Sequence, residues 1–296
     1  MNLPNLLIVG AAKSGTTSLH NYLKQHPEIF MSNHKEPHFL INKEIGENRI
    51  PKAVKKLDEY SNLFDGSDTF KYRGESSAMY LQFPNITIKN IKKYLEKDIK
   101  IIIMLRNPID RAFSGYQHVK RFNIDEELTF EQALEVCEDR YFKQTSLTPA
   151  TRYIHIGMYY DFVKKFMHSF SDQIHVIIYD DFIADTQNEL SKVFSFLEVK
   201  KIEININEKY MVGGWKWKNS FFKNTFMKKS FLKKIIKTIA PFEFLRIFLN
   251  DLFKYLFTEP DDKMDIAVRK KLQNIYKNDV INLSKLLNKD LNFWIK

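Results

Sequence analysis

The sequence predicts an α/β fold of three layers, in which a central parallel β-sheet is flanked by helices and followed by a helical C-terminal extension. Three short apolar runs predict buried strands, at residues 6–9, 101–105 and 174–179. Helical patterns separate these runs, and strands that alternate with helices are typical of a parallel sheet. The chain of 296 residues, 44% of them hydrophobic, is long enough to bury one large core of this kind.

The helices are predicted from apolar spacing and from start signals. After the first strand ends at Gly10, Leu19, Tyr22 and Leu23 recur at helical spacing, and His26-Pro27 stops the helix. Pro108 suits the first turn of a helix after the second strand. Capping-box patterns at 129–132 and 186–189 predict two further helix starts.

No strand is predicted beyond about residue 205. Residues 228–239 and 242–257 have helical patterns, and residues 263–287 predict a final amphipathic helix. We therefore expect one domain over 1–296. Its parts are a nucleotide-binding α/β core at 1–205, a basic and aromatic helical insertion at 206–262, and a C-terminal part at 263–296 that packs back on the core.

The basic charge is concentrated in one segment. The net charge is +10, and residues 209–242 contain nine lysines and no acidic residue. Such a segment favours anionic partners. Contact with an anionic membrane through 220–257, a glycan-binding role and a solvated basic face all remain open. We expect no nucleic-acid partner, since no recognisable nucleic-acid module is present. The oligomeric state is not predicted.

The location expected from the sequence is cytoplasmic, with peripheral contact at the inner membrane face left open. The single cysteine, Cys137, excludes an intrachain disulfide and a cysteine-based metal cluster. The N-terminus has no signal-peptide pattern, and no apolar run approaches the roughly 20 residues of a membrane span.

A phosphate-binding loop is predicted between the first strand and the first helix. The stretch Gly10-Ala-Ala-Lys-Ser-Gly-Thr-Thr-Ser18 combines small residues, one cation and several hydroxyl groups at a helix start. Backbone amides and the helix dipole favour an anion there, and Lys13 adds a full charge. The candidate ligands are the residues of this turn: Lys13, Ser14, Gly15, Thr16, Thr17 and Ser18. The fold is thus P-loop-like, but the Gly-Lys-Ser/Thr ending of a Walker A loop is missing.

A second anion site is predicted after the strand at 101–105. Arg106 follows this strand at the edge where open α/β sheets bind ligands, and Ser114 lies two turns into the next helix. Arg111 is interpreted as structural, for example as a partner of Asp110.

The two motifs together resemble those of sulfotransferases that use 3′-phosphoadenosine-5′-phosphosulfate (PAPS). Lys-Ser-Gly-Thr-Thr-Ser-Leu resembles their 5′-phosphosulfate loop, in the lysine form of the bacterial and heparan sulfate branch, and Leu105–Ser114 resembles their 3′-phosphate motif. The resemblance implies a transferase with PAPS as co-substrate and no metal, in which Lys13 stabilises the leaving phosphate. It also implies that Arg106 and Ser114 hold the 3′-phosphate. A glycan or glycolipid acceptor is expected.

A candidate general base follows from the same resemblance. Lys-Glu36-Pro-His38-Phe is similar to a motif of heparan sulfate sulfotransferases in which the glutamate deprotonates the acceptor. Glu36 is the expected base, and His38 assists or replaces it; a surface pair of Glu36 with a lysine is the structural alternative. Residues 74–80 resemble a segment that lines the cleft, but Ser76 stands where relatives often have lysine. Residues 212–219 loosely match a loop that closes on the 3′-phosphate, which adds Lys216 and Lys218 as candidates.

Two other functions remain open. A P-loop kinase or nucleotidase with a degenerate loop would need an acidic magnesium ligand, and Asp180 or Asp181 after the third strand could serve. A non-catalytic, membrane-associated nucleotide-binding protein would need no base, so the placement of Glu36 relative to Lys13 distinguishes it.

Overall fold

The computed structural model describes residues 1–95, 97–122, 126–208, 210, 213–219 and 255–296. Its main sheet has five parallel strands in the order β2-β3-β1-β4-β5. These strands are β1 Leu6–Gly10, β2 Ile29–Met31, β3 Tyr72–Ser76, β4 Lys100–Leu105 and β5 Ile174–Ile178. The predicted α/β class with a parallel sheet is confirmed.

Helices lie between the strands and continue after the sheet. In the first half of the chain they are α1 Thr16–Leu23, α2 Phe39–Ile45, α3 Leu57–Asn62, α4 Pro84–Tyr94 and α5 Pro108–Phe122. In the second half they are α6 Phe130–Lys143, α7 Tyr159–Phe170, α8 Tyr179–Ala184, α9 Thr186–Phe196 and α10 Ile266–Leu287. Apolar side chains from the two faces of the sheet form two separate clusters, so the sheet is covered on both sides.

Two strands of the sheet have no apolar signature in the sequence. Strand β2, Ile-Phe-Met, is apolar but has only three residues, too few for a pattern, and β3 reads Tyr-Arg-Gly-Glu-Ser. At Gly74 a Cβ would lie 2.3 Å from the sulfur of Met31, so a larger residue would have to displace that side chain. The hydrophobic pattern missed β3 because its buried polar groups find partners from elsewhere in the chain.

Three details of the sequence prediction are wrong. Two short strands, β6 Trp215–Trp217 and β7 Thr258–Pro260, pair antiparallel beyond residue 205. Helix α9 is capped by Asp185, whose side chain accepts from the Asn188 amide, so 186–189 is not a capping box. The Asp110 carboxylate accepts from Arg269, not from Arg111. The capping box at Thr129 is confirmed.

The C-terminal helix α10 packs against α7 and α5, as expected for the final helix. Its Asp279 carboxylate accepts from the backbone amides of Tyr159 and Tyr160 at the start of α7, at 2.9 and 3.1 Å. The predicted helix at 228–239 lies outside the described residues, as does most of 242–257. Among the described helices, none is long and apolar enough to span a membrane.

Candidate active site

The loop between β1 and α1 is fixed by two glycines. Gly10 and Gly15 have φ angles of 148° and 90°, which residues with a side chain rarely adopt. A Cβ at Gly10 would also lie 2.9 Å from the carbonyl oxygen of Ala78, and one at Gly15 would lie 3.1 Å from the ring of Tyr179. The loop therefore packs closely against both neighbouring segments, and its position depends on these two glycines.

The start of α1 is open to an anion. Gly15 provides no side-chain cap, and the first turn has no acidic residue, so nothing within the helix neutralises its amino end. Ser14 is fully buried and Thr16 is 5% exposed, whereas Lys13, Thr17 and Ser18 are partly exposed. The predicted ligands therefore differ in how accessible their side chains are.

Lys13 lies among other cations. The pKa of its ammonium group is lowered to about 8, mainly by burial. Four neighbouring positive charges also contribute to this shift, those of Arg121, Arg106, Lys35 and Arg111. Within the described part of the chain, Lys13 forms no ion pair with a carboxylate. A cation without a carboxylate partner among other positive charges is unfavourable by itself and favours an anionic ligand.

The two predicted phosphate motifs meet at one edge of the sheet. Arg106 follows β4, and its guanidinium donates to the Lys13 carbonyl at 3.3 Å. The same group lies 4.9 Å from the centre of the Tyr179 ring, which also contacts the loop. Tyr159 donates from its hydroxyl to the Arg106 carbonyl at 3.0 Å. One ligand can therefore contact both motifs.

Helix α5 contributes two functional candidates that the sequence analysis missed. Ser114, His118 and Arg121 follow at intervals of four and three residues, which places them on one helical face. Burial, with the charges of Lys13 and Arg121, lowers the pKa of His118 to about 4, and the carboxylate of Glu36 opposes this shift. The His118 ring is therefore neutral at physiological pH. The helical spacing from Ser114 was the signal that could have found both residues.

The candidate base belongs to a rigid loop before α2. Glu36 Oε2 accepts from the Ala78 amide at 2.8 Å, and Oε1 accepts from the Lys35 ammonium at 2.5 Å. His38 Nε2 is 3.4 Å from Glu36 Oε2. Burial raises the pKa of Glu36, but the charges of Lys35 and His38 and the hydrogen bonds from Lys35 and the Ala78 amide together lower it by more, so the net pKa is lowered and the carboxylate is ionised at neutral pH. The side chain remains one-third exposed and can be reached by a ligand.

The comparison with known proteins identifies the domain. A family model described as the sulfotransferase domain matches residues 3–225, which is most of the chain. The chain belongs to the sulfotransferase family. The sulfotransferase domain that the two motifs predicted is therefore confirmed.

Two relatives and two solved structures define the similarity of this sulfotransferase. It is 24% identical to carbohydrate sulfotransferase 15 of Rattus norvegicus in an alignment of 249 residues that covers 67% of this chain and 44% of that protein. It is 30% identical to the bifunctional heparan sulfate N-deacetylase/N-sulfotransferase 1 of Caenorhabditis elegans over 180 residues, 61% of this chain and 20% of that protein. The chain thus spans less than half the length of either relative.

The structural match is more complete. The crystal structure of a sulfotransferase from Alicyclobacillus acidocaldarius superposes with a TM-score of 0.75 at 28% identity, and the match covers 100% of both chains. A sulfotransferase domain from the Synechococcus PCC 7002 olefin synthase has the same fold, with a TM-score of 0.52 at 15% identity over 98% of this chain and 97% of that one.

Lys216 and Lys218 lie on the small second sheet of this sulfotransferase and contact other protein groups. The Lys216 ammonium is 2.5 Å from Asp262, and Lys218 donates to the Tyr255 carbonyl at 2.7 Å. Arg121 joins this sheet to the site, since it donates to the Trp215 carbonyl at 2.7 Å and pairs with Asp261 at 2.8 Å. Of the described cations near this sheet, Arg121 is the one whose charge lowers the pKa of Lys13.

The carboxylates that a magnesium site would need are engaged elsewhere. Asp180 accepts from the Trp294 indole at 3.0 Å, and Asp181 accepts from Lys289. In the part of the chain that the structure describes, no group of three His, Cys, Asp or Glu residues is arranged to hold a metal ion. The contacts of Asp180 and Asp181 tie β5 and α8 to the C-terminal segment instead.

Proposed function

We propose that this chain transfers a sulfuryl group from PAPS to a hydroxyl or amine of an acceptor, and that the acceptor is a carbohydrate. The observation that carries the proposal is the cluster around Lys13. Its pKa is lowered to about 8 first by burial and then by neighbouring cations, while Arg106 lies within hydrogen-bond distance of the same loop. A ligand with anionic groups at both ends suits these two motifs.

The residues present fit the donor. The open amino end of α1 and Lys13 would hold the 5′-phosphosulfate, through the first-turn amides and the hydroxyls of Thr17 and Ser18. Arg106 and Ser114 would hold the 3′-phosphate, because a guanidinium and a hydroxyl can both donate to phosphate oxygens. In this proposal Arg121 and His118 complete the set of side chains around the donor.

The chain's own groups would carry out the transfer as follows. Glu36, ionised at neutral pH, accepts the proton of the acceptor hydroxyl or amine as the new bond to sulfur forms. Lys13 stabilises the negative charge that develops on the bridging oxygen as the bond from sulfur to that oxygen breaks. The products are the sulfated acceptor and adenosine 3′,5′-bisphosphate. Lys35 and His38 hold the Glu36 carboxylate in place.

A carbohydrate acceptor is proposed from the relatives. Their names describe carbohydrate and heparan sulfate sulfotransferases. We also propose that the described part functions as one domain, because α10 packs on helices that hold the site. Membrane contact stays a separate hypothesis, prompted by the match of 33% identity over 114 residues to the membrane-associated sulfotransferase kil1 of Dictyostelium discoideum.

A sulfuryl-transfer assay tests the proposal directly. The protein is incubated with ³⁵S-labelled PAPS and separate acceptors: desulfated heparin, chondroitin, a glycolipid and a phenol. We expect label on a carbohydrate acceptor, and binding of adenosine 3′,5′-bisphosphate by calorimetry. Transfer to the phenol alone would reject the carbohydrate, and absence of both transfer and binding would reject the function. ATP hydrolysis that depends on magnesium would favour the kinase or nucleotidase alternative.

A further inference from the structure

A fully buried carboxyl lies close to the candidate base. Glu75 is on strand β3, next to the central strand β1, and has no exposed surface. Its Oε1 accepts from the Tyr60 hydroxyl at 3.0 Å, and its Oε2 accepts from the Ser77 hydroxyl at 2.8 Å. The Tyr80 hydroxyl is a further hydrogen-bond partner. An isolated buried carboxylate is strongly unfavourable, so this site is built to hold one.

The partners of Glu75 in turn hold the backbone around Glu36. The Ser77 hydroxyl accepts from the His38 amide at 3.0 Å, and the Tyr80 hydroxyl accepts from the Leu40 amide at 3.3 Å. His38 is the N-cap of α2, but its own side chain makes no capping hydrogen bond. Glu75 therefore supplies, through two hydroxyl groups, the cap that the helix itself lacks.

The loop needs this support because its backbone is strained. Glu36 and His38 have φ angles of 62° and 51°, in the left-handed region that non-glycine residues rarely adopt. Such conformations persist only when the surrounding structure fixes them. Besides the Glu75 network, the end of β3 holds the loop through the Ser76 carbonyl, which accepts from the Glu36 amide at 2.9 Å.

We infer that Glu75 is a positioning residue for Glu36: its carboxylate fixes Ser77 and Tyr80, which hold residues 36–40 so that the Glu36 carboxylate faces the acceptor. The inference rests on the proposed role of Glu36 as base. Both oxygens of Glu75 act as acceptors in this arrangement, so its ionised form is the one that holds the loop. Protonation would force one of the donor hydroxyls to turn away.

The electrostatic environment of Glu75 supports the same positioning role. Burial, with a smaller contribution from the neighbouring Glu36 carboxylate, raises the pKa of Glu75 to about 7, although the hydrogen bonds from Tyr80, Ser77 and Tyr60 oppose the shift. These groups face Glu75 from three elements: Tyr60 from α3, Ser77 and Tyr80 from the turn after β3, and Glu36 from residues 35–40. A group with this pKa loses its proton as the pH rises through about 7, so the holding arrangement strengthens over that range.

The test compares Glu75→Gln with a matched control. Glutamine keeps the shape but has one acceptor oxygen, so the Tyr60 and Ser77 hydroxyls cannot both donate to it. We expect kcat to fall about 10-fold to 100-fold, with unchanged affinity for adenosine 3′,5′-bisphosphate and loss of the inflection in kcat near pH 7. The control is Glu126→Gln, since Glu126 is equally buried and accepts from Tyr153 at 2.9 Å. It should lower the melting temperature but leave kcat and its pH profile unchanged.

Ser77→Ala keeps Glu75 and its contacts with Tyr60 and Tyr80 but removes the hydroxyl that joins Glu75 to the His38 amide, so it should reproduce part of the loss in kcat. Ser77→Ala also provides the test of the inference if the Glu75→Gln protein does not fold. Amide hydrogen exchange at His38 and Leu40 needs no substrate and should accelerate in both variants. Unchanged kcat together with unchanged exchange would overturn the inference. If the wild-type protein transfers no sulfate and binds no bisphosphate, the proposed function fails instead, and the exchange data still decide whether Glu75 holds the loop.

Discussion

The two halves of the site, the cation rim and the base loop, are stabilised in opposite ways. The rim is formed by Lys13, Arg106 and the α5 residues, and it brings like charges together without a carboxylate partner for Lys13 in the described residues. The base loop, residues 35–40, is bonded to the end of β3 and the following turn through the amides of Glu36, His38 and Leu40 and through the Glu36 carboxylate. The comparison indicates that the rim is completed by its ligand, whereas the protein itself holds the loop before any ligand binds.

Removing the base should have the largest effect. Glu36→Gln is expected to lower kcat by about 10²-fold to 10⁴-fold, because the acceptor proton loses its receiving group. The affinity for adenosine 3′,5′-bisphosphate should not change, which calorimetry measures. His38→Asn is the companion variant and should cost less. A larger loss from His38→Asn than from Glu36→Gln would make His38 the base.

Removing the central cation should come next. We expect Lys13→Met to lower kcat by about 10²-fold to 10³-fold, since the charge on the leaving oxygen is then less stabilised. Lys24→Met is the control, because Lys24 is exposed just after α1 and its ammonium donates to the Asn33 side chain. Full turnover by Lys13→Met would contradict the assigned role.

The third prediction tests whether Arg106 binds the 3′-phosphate end of the donor. Arg106→Met should weaken binding of adenosine 3′,5′-bisphosphate by about 10-fold to 100-fold, as expected for a lost hydrogen bond to a charged group. Binding of adenosine 5′-monophosphate, which lacks the 3′-phosphate, should change little. If both ligands weaken equally, Arg106 maintains the loop through the Lys13 carbonyl and does not read the 3′-phosphate.

The pH dependence of binding tests whether the rim is incomplete without ligand. Because the pKa of Lys13 is lowered to about 8 by burial and by its cationic neighbours, its charge is present below that pH and is lost above it. Affinity for the bisphosphate should therefore fall as the pH rises through 8, by up to about 10-fold per pH unit until another group dominates. In Lys13→Met this dependence should disappear. A pH-independent affinity in the wild-type protein would mean that Lys13 does not contact the ligand.

The smallest effect is expected at the second sheet. Lys216 is paired with Asp262 and Glu259 on a partly exposed surface, where such pairs contribute about 0–1 kcal/mol. Lys216→Met should change bisphosphate affinity by less than about fivefold, the equivalent of that energy. A loss as large as that of Arg106→Met would restore Lys216 as a phosphate ligand, with its acidic partners released on binding.

The sequence by itself determined the features that local chemistry specifies. Apolar runs defined β1 and β4 because these strands are buried on both faces, and they defined β5, which is partly buried at the edge of the sheet. The small residues around Lys13 defined the loop because few other residues allow its backbone. The order of the two phosphate motifs then indicated the family, and both motifs follow strands whose carboxyl ends share one edge.

Only the tertiary structure decided which groups meet across long distances in the chain. Glu75 finds Tyr60 on α3, Arg121 finds Asp261 beside β7, and Lys216 is occupied by Asp262. A sequence pattern states the type and spacing of a residue but not its partner. Burial and charge, which set the pKa of Lys13, His118 and Glu75, arise only when distant segments are packed together.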